Sequence, residues 1–183
     1  YELGGEMETS QKANESIVVK LPIAAFIILI LLVGQFNSIR RPLIILTTIP
    51  LGVAGVIFGL LLFRSYFGFM TLLGIISLSG IVINNAIVLI ERIQLEHHDN
   101  GVALHEAIIV AAQRRLRPIL LTTATTVLGL IPLYWGGGEM WEPMAVAIMV
   151  GLLFSTVLTL GLVPVLYALL FGVSYKHYKF AHE

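Results

Sequence analysis

The residues of this chain that could do chemistry are few, and they sit among apolar neighbours. The segment GIVINNAIVLIER (80–92) carries Asn84 and Asn85 and ends on Glu91 and Arg92. The segment QRRLRPILLTTATT (113–126) opens on Arg114, Arg115 and Arg117 and then carries Thr122, Thr123, Thr125 and Thr126. Seven residues make close to two helical turns and about 10 Å of rise. Asn84 therefore stands above Glu91 on one helix face, and Thr122 above Arg115 on another. If two such helices run antiparallel as neighbours, Asn84 and Thr122 meet at one depth and Glu91 pairs with Arg115 at the end. Polar groups at membrane depth are costly, and such a ladder of amide, hydroxyl and charge is the first place to look for function. Asn84, Asn85, Arg115 and Thr122 are the candidates, with Glu91 and Arg115 as the end pair. The plainer alternatives are bonds between helices, at about 0.6 kcal/mol each, and threonines bonded to their own backbone.

Other chemistry is hard to place. Ser and His never fall near an acid in an arrangement suited to nucleophilic catalysis, so no enzymatic activity is expected. The run Gly136-Gly137-Gly138 lacks the Lys that a phosphate cradle needs and reads as an outer loop, GGGEMWEP. His97 and His98 lie in the turn HHDNG without a ligand cluster nearby, so two solvated histidines are expected and no metal. No cofactor is implied. With no cysteine, disulfides, thiolate zinc sites and cysteine nucleophiles are excluded.

The elements that must hold these residues follow from composition. Of 183 residues, 57% are hydrophobic and 12% charged, and the mean hydropathy is +0.93. Soluble domains average about 25% charged residues. The deficit excludes a soluble enzyme, a disordered segment and a nucleic-acid binder, and eleven basic against eleven acidic residues leave no net field for a polyanion. A bilayer's hydrocarbon core is about 30 Å thick and takes roughly 20 apolar residues of helix to cross. Five runs qualify, over about 17–33, 43–63, 67–90, 119–135 and 144–173. None alternates as a strand does, and lipid admits only helices or closed barrels. The expected fold is an all-α membrane protein, a bundle of five transmembrane helices within 17–173. One cytoplasmic interfacial helix is expected over about 102–115, apolar at Val102, Leu104, Ala107, Ile108 and Ala111 and charged opposite. Pro22 falls near the start of the first span, where a missing N–H is tolerated.

Basic residues set the orientation. Arg40, Arg41, Arg92, Arg114, Arg115, Arg117, Lys176 and Lys179 lie on one side; Lys12, Lys20 and Arg64 lie on the other. Eight against three puts the tail 174–183 in the cytoplasm and residues 1–16 outside. Helices in lipid associate where small residues admit close approach, so Gly52, Gly55, Gly59, Gly74 and Gly80 are packing candidates. The chain opens on Tyr1 rather than Met and is expected to be a piece of a longer protein.

The motifs together resemble one family. GIVINNAIVLIER (80–92), EAIIVAAQRRLRPILLTT (106–123), VPVLY (163–167), PLGVAG (50–55) and QFNSIRRP (35–42) resemble the resistance-nodulation-division transporters, nearest in style to the hydrophobe and amphiphile efflux pumps. The resemblance covers essentially the whole chain in order. It implies spans eight to twelve of twelve, with residues 1–16 ending a periplasmic porter region. It implies a homotrimer in the bacterial inner membrane, working with a periplasmic adaptor and an outer-membrane channel and driven by protons. It also implies a missing N-terminal half whose fourth span carries two aspartates. The family's relay arginine and threonine match Arg115 and Thr122, whereas the position of its relay lysine is held by Asn84. Asn84 can hydrogen-bond but cannot change charge. Either the aspartates then work with Arg115 alone, or coupling differs, or protons do not drive this branch. Other readings are a stand-alone half-bundle serving as membrane scaffold or assembly partner, and a related exporter of lipid or protein.

Overall fold

The computed structural model describes residues 3–172, and among them it contains long helices and no strand. They are α1 (Leu3–Phe36), α2 (Arg40–Phe63), α3 (Phe69–Gln94), α4 (Leu104–Gly136) and α5 (Gly138–Leu170), with α3 prolonged by a π-helical turn over Leu95–Asp99. All five are long and apolar enough to cross a membrane, as the five-span reading requires. Lys176 and Lys179, counted above toward the orientation, and the tail 174–183 lie outside the described residues.

The helices fall into two units, one through Pro42 and one from Leu43 onward. In the first, α1 begins at Leu3, so the polar stretch expected to precede the span is itself helical. Glu8 and Lys12 pair across one exposed turn at 2.9 Å, and the stretch is rich in good helix formers such as Glu, Met, Gln, Lys and Ala. Pro22 consequently lies well inside the helix rather than at its start, where it removes one backbone bond. From Val18 to Leu31 the apolar side chains are largely exposed, as a lipid-facing surface should be. The helix stops at Asn37, whose φ of +46° is left-handed backbone that asparagine tolerates. The Arg41 guanidinium donates to the Phe36 carbonyl at 3.2 Å, covering one of the carbonyls a helix end leaves open.

In the second unit α5 is the axis. Over its most apolar 18 residues α5 is 56% buried and α4 only 11%, so α4 leaves most of its surface uncovered. In lipid no hydrophobic driving force separates helix from solvent, and contact is made by close packing at small residues. A methyl group at Gly55 would stand 2.8 Å from the Phe154 Cβ, and one at Gly59 would stand 2.6 Å from the Val150 Cβ. Gly74 lies against Ala147 and the Met144 backbone, and Gly151 against Leu78 and Val56. Gly52 makes ordinary contacts with Leu78, Val82 and Ser155, while a methyl group at Gly80 would meet nothing within 4 Å. The core built on these approaches holds Val56, Leu60, Leu78, Val82, Val146, Ala147 and Leu152.

Two connections differ from the sequence reading. The stretch expected over 102–115 is no separate interfacial helix: from Leu104 it forms the first turns of α4, which runs unbroken through Pro118. Its apolar face is buried in protein: Ala107, Ile108 and Ala111 are sealed from solvent where α4 packs on α3 and the π turn. The same periodicity that would lay a helix on a membrane surface also docks one against a neighbour. At the other end, the expected outer loop shrinks to Gly137 between α4 and α5. A side chain at Gly137 would strike the Leu133 carbonyl and Trp141, and Gly138 has φ +74°, so the reversal depends on glycine.

Candidate functional site

The relay candidates lie on α3 and α4, which pack together. Arg115, Thr122 and Asn84 occupy the helices the spacing assigned to them. Asn84 is exposed, Asn85 and Arg115 are half-buried, and Thr122 is exposed. Among the described residues no hydrogen bond joins Asn84 to Thr122; the Thr122 hydroxyl donates instead to the Pro118 carbonyl of its own helix at 2.9 Å. Thr125 and Thr126 donate likewise to Leu121 and Thr122. The Arg115 Nε is buried and, among the described residues, has no hydrogen-bond partner. Leaving a buried guanidinium N–H unpaired is costly, and the Arg92 Nε is in the same position.

The threonine that does join helices is Thr123, one position on. Its hydroxyl meets that of Thr156 on α5 at 2.9 Å, with both residues buried. Successive residues on a helix point 100° apart, so Thr123 turns into the bundle while Thr122 turns out of it. Thr156 belongs to a row of buried hydroxyls on α5 with Ser155 and Thr159.

Where α3 runs into its π turn, an ion pair to α4 joins Glu96 to Arg114 at 2.9 Å, five residues beyond Glu91 and one before Arg115. Glu96 is 2% exposed. Its Oε1 accepts from both Arg92 and Arg114, and its Oε2 accepts from the Asn100 side chain at 2.9 Å. Neither Glu96 nor Asn100 is among the sequence-derived candidates. The signal was the four-residue spacing of Arg92, Glu96 and Asn100, which stacks them on one helical face. His97 and His98 sit tilted against each other with ring centroids 4.9 Å apart, and His97 Nδ1 lies 2.8 Å from the Val102 carbonyl. Among the described residues no group of three or more potential ligands could hold a metal.

With this geometry in view, the comparisons decide the family. The model of the AcrB/AcrD/AcrF family matches residues 1–171. The chain belongs to that family, within the resistance-nodulation-division efflux transporters. It is 34% identical over 169 residues to the cobalt-zinc-cadmium resistance protein CzcA of Cupriavidus metallidurans, covering 91% of this chain and 16% of that protein. It is 32% identical over 182 residues to the multidrug resistance protein MdtC of Proteus mirabilis, covering 98% of this chain and 18% of that one. Among solved structures it is similar to a heavy metal efflux pump, with a TM-score of 0.78 and 33% identity over 90% of this chain and 16% of the pump. The chain thus spans less than a fifth of the length of these relatives. That span contains the α3–α4 pair and the uncovered face of α4.

Proposed function

We propose that this chain is the C-terminal transmembrane part of a proton-driven efflux permease exporting hydrophobic or amphiphilic compounds, a secondary transporter and not an enzyme. Arg115 carries this reading: its buried Nε has no partner among the described residues. It stands two turns from exposed Thr122 on a helix that leaves most of its surface uncovered. A carboxylate from the other half of the membrane domain is the acceptor that satisfies it. When that carboxylate is ionised the pair closes; when it is protonated the attraction weakens and the two halves are free to shift. Asn84, unable to change charge, hydrogen-bonds across the same seam, so the switch rests on Arg115 and the carboxylate partner. The basic residues orient residues 1–16 to the periplasm and the C-terminus to the cytoplasm of the bacterial inner membrane. The assembly is a homotrimer with a periplasmic adaptor and an outer-membrane channel.

Likeness to the multidrug protein supports an amphiphilic cargo. A second reading, export of divalent metal cations, is favoured by the likeness to the cobalt-zinc-cadmium resistance protein and to the solved heavy metal pump. In the full-length protein, Arg115→Ala and Thr122→Ala are expected to lower proton-dependent export with membrane insertion unchanged. Cells challenged with cationic dyes or with cobalt and zinc salts distinguish the two cargoes. Normal export by both variants would remove the relay.

A further inference from the structure

The junction between α3 and α4 is built around one carboxylate that the relay does not use. Glu96 is buried, and both its oxygens are taken, by Arg92 and Arg114 on one side and by Asn100 on the other. The backbone around it departs from the α-helix. The Asn100 N–H donates to the Leu95 carbonyl at 3.3 Å and the Val102 N–H to the Glu96 carbonyl at 3.2 Å, giving the widened turn over Leu95–Asp99. Such π turns are rare and concentrate at functional sites. Behind the turn, Ile93, Ala107, Ile108 and Ala111 are sealed from solvent. A bulged helix end, a buried acid and three donors thus converge on the point where α4 begins its path into the membrane.

We propose that Glu96 is a positioning residue: by clasping Arg114 it fixes the rotation of α4 and so the direction in which Arg115 and Thr122 face. Consecutive residues on a helix project 100° apart. With Arg114 drawn toward the α3 end, Arg115 is turned off that line, and Thr122, two turns on, shares its face. The same rotation buries Ile119 (4% exposed) and Thr123 (3% exposed). Withdrawing the carboxylate leaves Arg92 half-enclosed beside a neutral group and frees Arg114, so α4 loses the contact that sets its phase. The inference rests on the relay reading for its consequence in transport, but the rotation itself is measurable without transport.

In the full-length protein freed of other cysteines, Ile119→Cys reports the rotation through its rate of labelling by a membrane-permeant maleimide. Glu96→Gln is expected to raise that rate about tenfold, less than the loss of a fully buried ion pair would give, because the Arg114 partner is half exposed. Arg114→Gln, which withdraws the half-exposed partner and leaves the buried acid in place, is expected to do the same. Export by the double variant Glu96→Gln with Arg115→Ala is expected to match that of Arg115→Ala alone. Unchanged labelling in both variants, failure of both to insert, or losses of export that multiply in the double variant would overturn the assignment. Normal export by Arg115→Ala together with increased labelling would instead overturn the relay and leave the clasp standing.

Discussion

At the scale of single residues, the division between Thr122 and Thr123 sets what each can do. Thr123 and Thr156 share a buried hydroxyl–hydroxyl bond, whereas Thr122 satisfies itself on the Pro118 carbonyl. Hydrogen bonds between helices in lipid contribute about 0.6 kcal/mol on average. A double-mutant cycle of Thr123→Val and Thr156→Val, read by the unfolding of the purified protein, is therefore expected to give a coupling energy of about 0.6 kcal/mol. A cycle pairing Thr122→Val with Thr156→Val is expected to give none. The sequence made the threonine run legible as polar groups at membrane depth and made Arg115 legible two turns below Thr122. It could not say which of two adjacent threonines turned inward, because that depends on which side of α4 meets α5, and both helices are apolar nearly all round. The acid at Glu96 escaped for a related reason: its spacing from Arg92 and Asn100 was in the sequence, but its pairing with Arg114 depends on how α4 docks beside the π turn.

At the scale of elements, the glycines of α2 decide how closely α5 can approach. The spacing of Gly55 and Gly59 was readable as a contact stripe, and the structure seats both against α5 side chains, Phe154 and Val150. Gly59→Ala would force its methyl group to within 2.6 Å of the Val150 Cβ; overpacking of this kind costs about 1–3 kcal/mol. Gly80→Ala, with nothing within 4 Å to meet, is expected to be neutral or slightly stabilising, since alanine is the better helix former. Comparing the thermal midpoints of these two variants checks the packing directly. The five long apolar helices were legible because each apolar run is long and continuous. Helix ends were not, because residues 3–16 and 104–118 also stay helical, the first on good helix formers and the second on a protein face to bury. Thus Ala107, Ile108 and Ala111 belong to the core of the junction.

At the scale of the whole molecule, the unit from Leu43 onward buries α5 and leaves α4 largely uncovered, and the uncovered helix carries Arg115 and Thr122. Arg115 is half-buried with an Nε that has no partner among the described residues, and it stands beside an exposed polar face. On the proposed function that face is the seam with the other half of the membrane domain. The central claim is that protons move through the pairing of Arg115 with a carboxylate across it. The most direct measurement is proton flux in proteoliposomes of the full-length protein, driven by an imposed pH gradient in the presence of an exported substrate. The account predicts that Arg115→Ala abolishes most substrate-dependent flux and Thr122→Ala lowers it, with both variants reconstituting normally; flux equal to the unmodified protein's in both would contradict it.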